Sequence, residues 1–117
     1  MNRREIVYTL LSLVPPGYVV TYSLLARLAG TSPRAIGAYM RANRRPIVIP
    51  CHRVVASDGG LGGYSLGGPR FKERLLRLEG VEVRGGRVDP RRLIRSEEEF
   101  WRVLEMEGGE PVTLDDP

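Results

Sequence analysis

The 117-residue sequence has few of several residue types. It contains one cysteine, one histidine and one lysine, and it has no glutamine. One cysteine cannot form a disulfide within the chain, and one cysteine with one histidine argues against a zinc site, so we expect no metal. No run of about 18 apolar residues is present, which excludes a membrane-spanning helix. We expect one reduced, intracellular and cytoplasmic domain, monomeric by default.

Positive charge is abundant and unevenly distributed. Residues 96–117 carry eight acidic groups and one arginine, whereas residues 1–95 carry six acids against seventeen bases. So basic a segment favours a polyanionic partner such as nucleic acid, although an ordinary solvated surface rich in arginine has the same composition. The scarcity of asparagine and glutamine is typical of thermophilic proteins, but a GC-rich genome also favours arginine. We divide the chain into a domain at 1–95 and an acidic helix and tail at 96–117.

Helix-capping residues predict a mostly α-helical domain with short β elements. Asn2 and Glu5 have the spacing of a capping box at the start of a first helix. A second helix ends at Gly30, and a third begins with Ser32 as N-cap and Pro33 at its first position. Two short helices joined by such a turn are typical of a helix-turn-helix, although many helical hairpins share the pattern.

Three further elements and one extended segment follow. Helices are predicted between Pro69 and Gly80 and after Ser96, with a small hairpin that turns at Gly85 and Gly86. The run "PIVIP" at 46–50 is rich in β-branched residues and bounded by prolines, which predicts a buried strand or extended segment.

The third helix carries small residues on its outer side. Arg34 lies in its first turn, and Ala35, Gly37 and Ala38 follow. Glycine inside a helix costs about 1 kcal/mol relative to alanine, so it indicates a close approach to another surface. That surface is either a neighbouring helix or a ligand.

The only cysteine and the only histidine are adjacent, as Cys51 and His52. A thiolate is the nucleophilic form of cysteine and needs a neighbouring base or positive charge. Neighbours on an extended segment point to opposite sides, so direct contact between the pair requires a bend or a bridging water. An acid must orient the imidazole, and Glu79, Glu73 and Asp58 are the candidates. The alternative is a buried structural thiol.

Four stretches together resemble a known family. "PIVIPCHRVV", preceded by "RAIGAYMRAN" and followed by "GGYSLGG" and "KERLLRLEG", is similar to the C-terminal domain of the O6-alkylguanine-DNA alkyltransferases, the methylated-DNA–protein-cysteine methyltransferases. The resemblance covers residues 3–95. It implies a winged-helix-like, helix-turn-helix domain that binds the minor groove of double-stranded DNA, flips out an O6-alkylguanine and accepts its alkyl group irreversibly, without a cofactor.

The resemblance also implies roles for individual residues. The catalytic set is Cys51 as alkyl acceptor, His52 as base through a water, Glu79 orienting His52, and Asn43 bracing the turn beside the cysteine. The residues implied for DNA binding are Arg34, which fills the gap left by the flipped base, Tyr22, which helps to rotate the 3′ phosphate, and Ala35, Gly37, Ala38 and Arg41. The residues implied for substrate binding are Tyr64 and Ser65 in a closing loop, Pro46, and the backbones of Val48 and Val54.

The sequence also departs from the family pattern. Most members carry an N-terminal domain, whereas this sequence begins at the first helix of the C-terminal one, as a minimal form or a fragment would. The related alkyltransferase-like proteins are short as well, but they have tryptophan in place of the cysteine and mark damage without reversing it. A damage sensor is therefore the alternative function. Arg44 stands where proline is common, Leu66 is an insertion, and the resemblance assigns no role to residues 96–117.

Overall fold

The computed structural model describes residues 1–62 and 67–107, and the mostly α-helical fold class with short β elements is confirmed. Among these residues the helices are α1 (Arg3–Ser12), α2 (Tyr22–Ala29), α3 (Pro33–Arg41), α4 (Gly68–Leu78) and α5 (Glu97–Glu107). The strands are β1 (Val19–Thr21), β2 (Val54–Val55), β3 (Val83–Arg84), β4 (Arg87–Val88) and β5 (Leu93–Ile94), and 3₁₀ turns occupy Cys51–Arg53 and Pro90–Arg92. No helix in the described part of the chain is long and apolar enough to cross a membrane.

The predicted helix starts are confirmed by their caps. Asn2 Oδ1 accepts a hydrogen bond from the Glu5 amide at 2.8 Å, and Ser32 Oγ accepts one from the Ala35 amide at 3.1 Å. Gly30 ends α2 with a φ of 71°, a left-handed conformation that glycine adopts without a steric penalty. Helices α2 and α3 therefore form the expected helix-turn-helix.

A three-stranded parallel sheet, which we did not predict from the sequence, lies between two apolar cores. The strand order is β2-β1-β5, with Val20 opposite Val54 and Val19 opposite Leu93. Successive side chains of a strand point to opposite faces of a sheet. Val20, Val54 and Ile94 accordingly enter the core formed with α1, α2 and α3, whereas Val19, Val55 and Leu93 enter the core beside α4 and the β3–β4 hairpin.

The expectation of a buried strand at 46–50 is wrong. This segment is a tight turn in which the Ile49 amide donates to the Arg45 carbonyl at 2.8 Å, and Ile47 and Val48 are 49% and 72% exposed. Proline has no amide hydrogen, so the two flanking prolines cannot donate to a sheet ladder. Ile47 has a φ of 77°, a conformation that costs a β-branched residue about 1–3 kcal/mol.

Helix α5 shares the main core with the rest of the fold. Phe100 is fully buried there, and Val103 and Leu104 pack against the same cluster. Ser96 caps this helix by accepting a hydrogen bond from the Glu99 amide at 3.1 Å, and Tyr18 Oη donates to Glu107 Oε1, also at 3.1 Å. The first part of the acidic segment is therefore anchored to the domain.

This anchoring predicts a stability effect. Phe100→Ala should lower the free energy of unfolding by about 3–5 kcal/mol, because it removes a fully buried aromatic side chain and leaves a cavity. Trp101→Ala is the matched control, since Trp101 is 48% exposed and its edge-to-face contact with Phe100 contributes at most about 1.5 kcal/mol. Urea denaturation measures both variants, and equal losses would contradict the assignment of Phe100 to the core.

Candidate active site and nucleic-acid interface

The cysteine lies in a bend rather than on an extended strand. Cys51 begins a 3₁₀ turn and is 4% exposed, and its amide donates to the Ile49 carbonyl at 2.7 Å. The buried Asn43 side chain holds the preceding turn at two points: its Nδ2 donates to the Ile49 carbonyl at 2.9 Å, and its Oδ1 accepts from the Arg45 amide at 2.9 Å. Asn43 thus fixes the backbone that leads into Cys51.

The imidazole beside the cysteine contacts one of the three candidate acids. His52 is fully buried, and its Nε2 lies 3.0 Å from Oε2 of Glu79, at the C-terminal end of α4. With the proton on Nε2, the ring donates to the carboxylate, and Nδ1 carries the lone pair that can accept a proton. Glu73 instead pairs with Arg77, and Asp58 pairs with Arg87. The geometry therefore selects Glu79 as the partner of His52.

Arg53 completes this arrangement, and the sequence analysis missed it. Its Nε and Nη2 donate to the two oxygens of Glu79 at 2.9 and 2.6 Å, and its Nη1 donates to the Val14 carbonyl at 2.8 Å. Burial acts to raise the pKa of Glu79, but the hydrogen bonds from Arg53 and His52 outweigh it and lower the pKa to about 2. Glu79 is therefore ionised at neutral pH. A bidentate arginine–carboxylate pair also fixes the orientation of the carboxylate.

Lys72 is a second buried cation that the sequence analysis overlooked. Lys72 is the only lysine in the sequence and is 1% exposed. Its Nζ donates to the carbonyls of Val54 at 2.7 Å and Leu61 at 2.5 Å. Burial lowers the pKa of Lys72 to about 8, and negative charge on Cys51 acts in the opposite direction. A signal was present in the sequence, because Lys72 lies four residues before Leu76 and so shares the inward face of α4.

Tyr22 lies near the cysteine. It is half-buried at the start of α2, and burial raises the pKa of its hydroxyl, with negative charge on Cys51 raising it further and Arg41 opposing both. A Cβ atom at Gly62 would lie 3.9 Å from Tyr22 Oη, so this hydroxyl adjoins the segment that leads into the predicted closing loop.

The predicted substrate-binding residues differ in how far they are buried. The Val54 side chain is fully buried and its carbonyl accepts the hydrogen bond from Lys72, Pro46 is half-buried, and Val48 is exposed. Tyr64, Ser65 and the insertion at Leu66 lie outside the described residues.

The outer face of α3 carries small residues and arginines. At 100° per residue, Arg34, Gly37, Ala38 and Arg41 share one side of the helix, opposite the buried Ile36 and Met40. Arg34, Ala38 and Arg41 are exposed, and Ala35 and Gly37 are half-buried. Apart from the backbone of α3 and its own chain neighbours, the one described atom that a Cβ at Gly37 would approach within 4 Å is Arg41 Nη1, at 3.5 Å. No neighbouring helix of the described residues packs there, so Gly37 and Ala38 face outward.

The chain is similar to known proteins in sequence and in fold. Residues 2–81 match the family described as 6-O-methylguanine DNA methyltransferase, DNA binding domain. The chain belongs to this family. A methylated-DNA–protein-cysteine methyltransferase of Pyrobaculum aerophilum is 51% identical over 69% of this chain and 55% of its own length. The O6-methylguanine-DNA methyltransferase of Pyrococcus kodakaraensis is 49% identical, with a TM-score of 0.64 over 69% of this chain and 47% of that one. The chain thus spans about half the length of these relatives.

The likeness to a third relative extends over almost the whole of that relative's chain. S. pombe Atl1, solved in complex with damaged DNA containing O6-carboxymethylguanine, is 26% identical to the chain. The likeness has a TM-score of 0.69 and covers 79% of this chain and 94% of that one. The chain is thus similar to proteins named as methyltransferases and to a protein solved on damaged DNA.

The hydrogen bonds of Glu79 to Arg53 and His52 predict that the stability of the fold depends on pH. The pKa of Glu79 falls from an ordinary 4.5 to about 2 on folding, so its ionised form stabilises the fold at higher pH, and this stabilisation should be lost as pH falls from about 4.5 to about 2. Glu79→Gln should be less stable at neutral pH and should lack this decline. The measurement is the free energy of unfolding against pH.

The matched control is Glu73→Gln, which removes a carboxylate from the same helix. The ion pair of Glu73 with Arg77, at 3.4 Å, is partly exposed and contributes little, so this variant should keep the decline seen in the unmodified protein. If Glu79→Gln declined as steeply as Glu73→Gln, Glu79 would not be the carboxylate responsible.

Proposed function

We propose that the protein repairs DNA by transferring an alkyl group from O6-alkylguanine to Sγ of its own Cys51. The observation that carries this proposal is the ionised Glu79 carboxylate, held by Arg53 and placed 3.0 Å from the imidazole that follows the cysteine. An imidazole oriented by a carboxylate is the arrangement that activates a cysteine nucleophile. A structural thiol needs no such partner.

In the proposed step, Sγ of Cys51 forms a bond to the first carbon of the alkyl group as the bond between this carbon and guanine O6 breaks. The thiol proton passes to His52, through a water as the family resemblance implies, and Glu79 stabilises the resulting imidazolium. The leaving guanine stays in the DNA strand and takes up the proton that the imidazolium gives back through water, so both the guanine and His52 end neutral. The thioether has no leaving group of comparable quality, so each molecule acts once and needs no cofactor.

The burial of the thiol requires the substrate base to leave the duplex. Cys51 is 4% exposed, so a guanine inside a base stack cannot reach it. We propose that α3 lies in the minor groove of double-stranded DNA, that Ala35, Gly37 and Ala38 permit close approach, and that Arg34 fills the gap left by the extruded base. Extrusion costs a few kcal/mol, which an inserted side chain offsets in part.

We propose roles along the same path for the remaining predicted residues. We propose that Tyr22 contacts the phosphate beside the extruded nucleotide and that Asn43 maintains the turn before Cys51. Tyr64, Ser65, Pro46 and the Val54 backbone remain proposed contacts to the base. The protein acts as a monomer in this proposal.

A damage sensor is the second candidate. The likeness to S. pombe Atl1, which covers 94% of that chain, favours it. A sensor would bind the extruded base in the same place and leave the carbon–oxygen bond intact. The two functions therefore differ in chemistry rather than in the recognition surface.

Intact mass distinguishes the two candidates. After incubation with a duplex that contains O6-methylguanine, the protein should gain the mass of one methyl group, located on Cys51 by peptide mapping. Cys51→Ser is the matched control and should gain nothing, because its hydroxyl is a far weaker nucleophile. Tight binding of the duplex by the unmodified protein without a mass change would refute the transfer proposal and favour the sensor.

A second experiment tests the role of Arg34. Arg34→Ala should slow transfer from duplex DNA by one to two powers of ten more than transfer from free O6-benzylguanine, because only the duplex reaction includes extrusion, which costs a few kcal/mol. Arg74→Ala removes the same charge from an exposed position on α4 and should affect the two substrates equally. The rate constants come from single-turnover kinetics, and equal losses on both substrates for Arg34→Ala would exclude a role in flipping.

A further inference from the structure

A basic cleft lies beside the outer face of α3. It has a volume of about 860 Å³ and lies between the N-terminal half of α1 and the segment that joins α3 to the cysteine turn. Its lining includes four arginines and one acid: Arg4, Arg41, Arg44, Arg45 and Glu5. We call this feature the arginine cleft. None of these side chains has a role in the transfer chemistry.

No acid of the described residues forms an ion pair with the arginines of the cleft. Arginines elsewhere do form such pairs, among them Arg77, Arg84, Arg87 and Arg91. Several like charges around one concavity repel one another and focus a positive potential. Such an arrangement favours the binding of an anion.

The walls of the cleft are fixed in position. Tyr8 Oη donates to the Tyr39 carbonyl at 2.6 Å, which ties α1 to α3 across the cleft. The Arg45 amide donates to Asn43 Oδ1 at 2.9 Å, and this hydrogen bond holds the backbone at Arg45 in position. The cleft is therefore built into the fold. The hydrogen bond between the Arg45 amide and Asn43 Oδ1 also positions the turn before Cys51.

The cleft continues the surface that we assign to DNA. Arg41 lines it and also lies over Gly37 on the outer face of α3, seven residues from Arg34. At 1.5 Å per residue, Arg34 and Arg41 are about 10 Å apart along the helix axis. Phosphates of a duplex lying on α3 would therefore pass the mouth of the cleft.

We infer that the arginine cleft binds backbone phosphates of the DNA strand that runs past α3, with Arg44 and Arg45 as additional contacts. This inference rests on the proposed DNA-repair function and extends its binding surface beyond the helix-turn-helix. Guanidinium groups bind phosphate oxygens in bidentate fashion, and the single acid of the cleft does not cancel its positive charge. Arg44 stands where proline is common in the family, so this part of the surface is a property of this chain.

The dependence of DNA affinity on salt tests the inference. Each phosphate neutralised contributes about 0.9 to the slope of log affinity against log salt concentration. The variant Arg44→Ala/Arg45→Ala should therefore lower this slope by about 1.8 when both residues contact phosphate. The measurement is fluorescence anisotropy of an undamaged duplex titrated at several sodium chloride concentrations.

The matched control is Arg74→Ala/Arg102→Ala, which removes the same charge from exposed positions on α4 and α5. It should change the slope by less than half as much. Circular dichroism and the melting temperature of both variants verify that they fold. Equal changes in slope for the two variants, or no change for the cleft variant, would overturn the inference.

Two further results separate this inference from its alternatives. A polyglutamate peptide tests whether the cleft prefers acidic protein: if the cleft variant lost peptide binding and kept its full DNA slope, the inference would be wrong. Binding to undamaged duplex requires no alkyl transfer. Failure of the methyl-transfer experiment would therefore refute the proposed chemistry and leave the slope measurement valid.

Discussion

The Glu79 carboxylate is the interaction on which the candidate site depends. Its two oxygens accept hydrogen bonds from Arg53, and one of them lies 3.0 Å from His52. Arg53 in turn donates to the carbonyl of Val14, just beyond α1. One anion therefore ties the end of α4, the cysteine turn and the end of α1 together. Removing one partner of a buried ion pair leaves an uncompensated charge, which destabilises a protein strongly. The orientation of the imidazole and the integrity of the fold thus have a common cause.

The short parallel sheet explains why the helix-turn-helix and the cysteine lie close together. Strand β1 runs directly into α2 at Tyr22, and β2 follows immediately after the turn that carries Cys51. The two strands pair with Val20 opposite Val54, and a strand rises about 3.3 Å per residue. Two or three residues of strand therefore separate the helix-turn-helix from the thiol. The sheet is buried on both faces, as parallel sheets usually are, which holds this separation constant.

Local interactions were predictable from the sequence, and long-range ones were not. Helices α1 and α3 were predicted because Asn2 and Ser32 bond to amides three residues away. The strands are two or three residues long and pair across tens of residues, so they leave no periodic pattern. The run at 46–50 was misassigned because its β-branched residues suggested a strand while its prolines removed the donors that a strand needs. Glu79 could be named only as one of three acids, since its contact with His52 depends on how α4 packs against the cysteine turn. The resemblance to the family supplied the proposed roles, but it did not identify Arg53 or Lys72 as part of the site.

The charged groups around the cysteine bear on the choice between transfer and sensing. A sensor needs a pocket for the extruded base and a surface that binds the DNA strand. A sensor could use the Glu79 ion pair to hold its fold together, but an imidazole oriented beside a thiol would serve no purpose in it, because no proton moves when a base is merely bound. Burying that pair carries a desolvation cost that only excellent geometry repays. Here Glu79, His52 and Arg53 meet that geometric demand beside a thiol that is 4% exposed. The arrangement as a whole, rather than the presence of Cys51 alone, is what favours alkyl transfer over recognition.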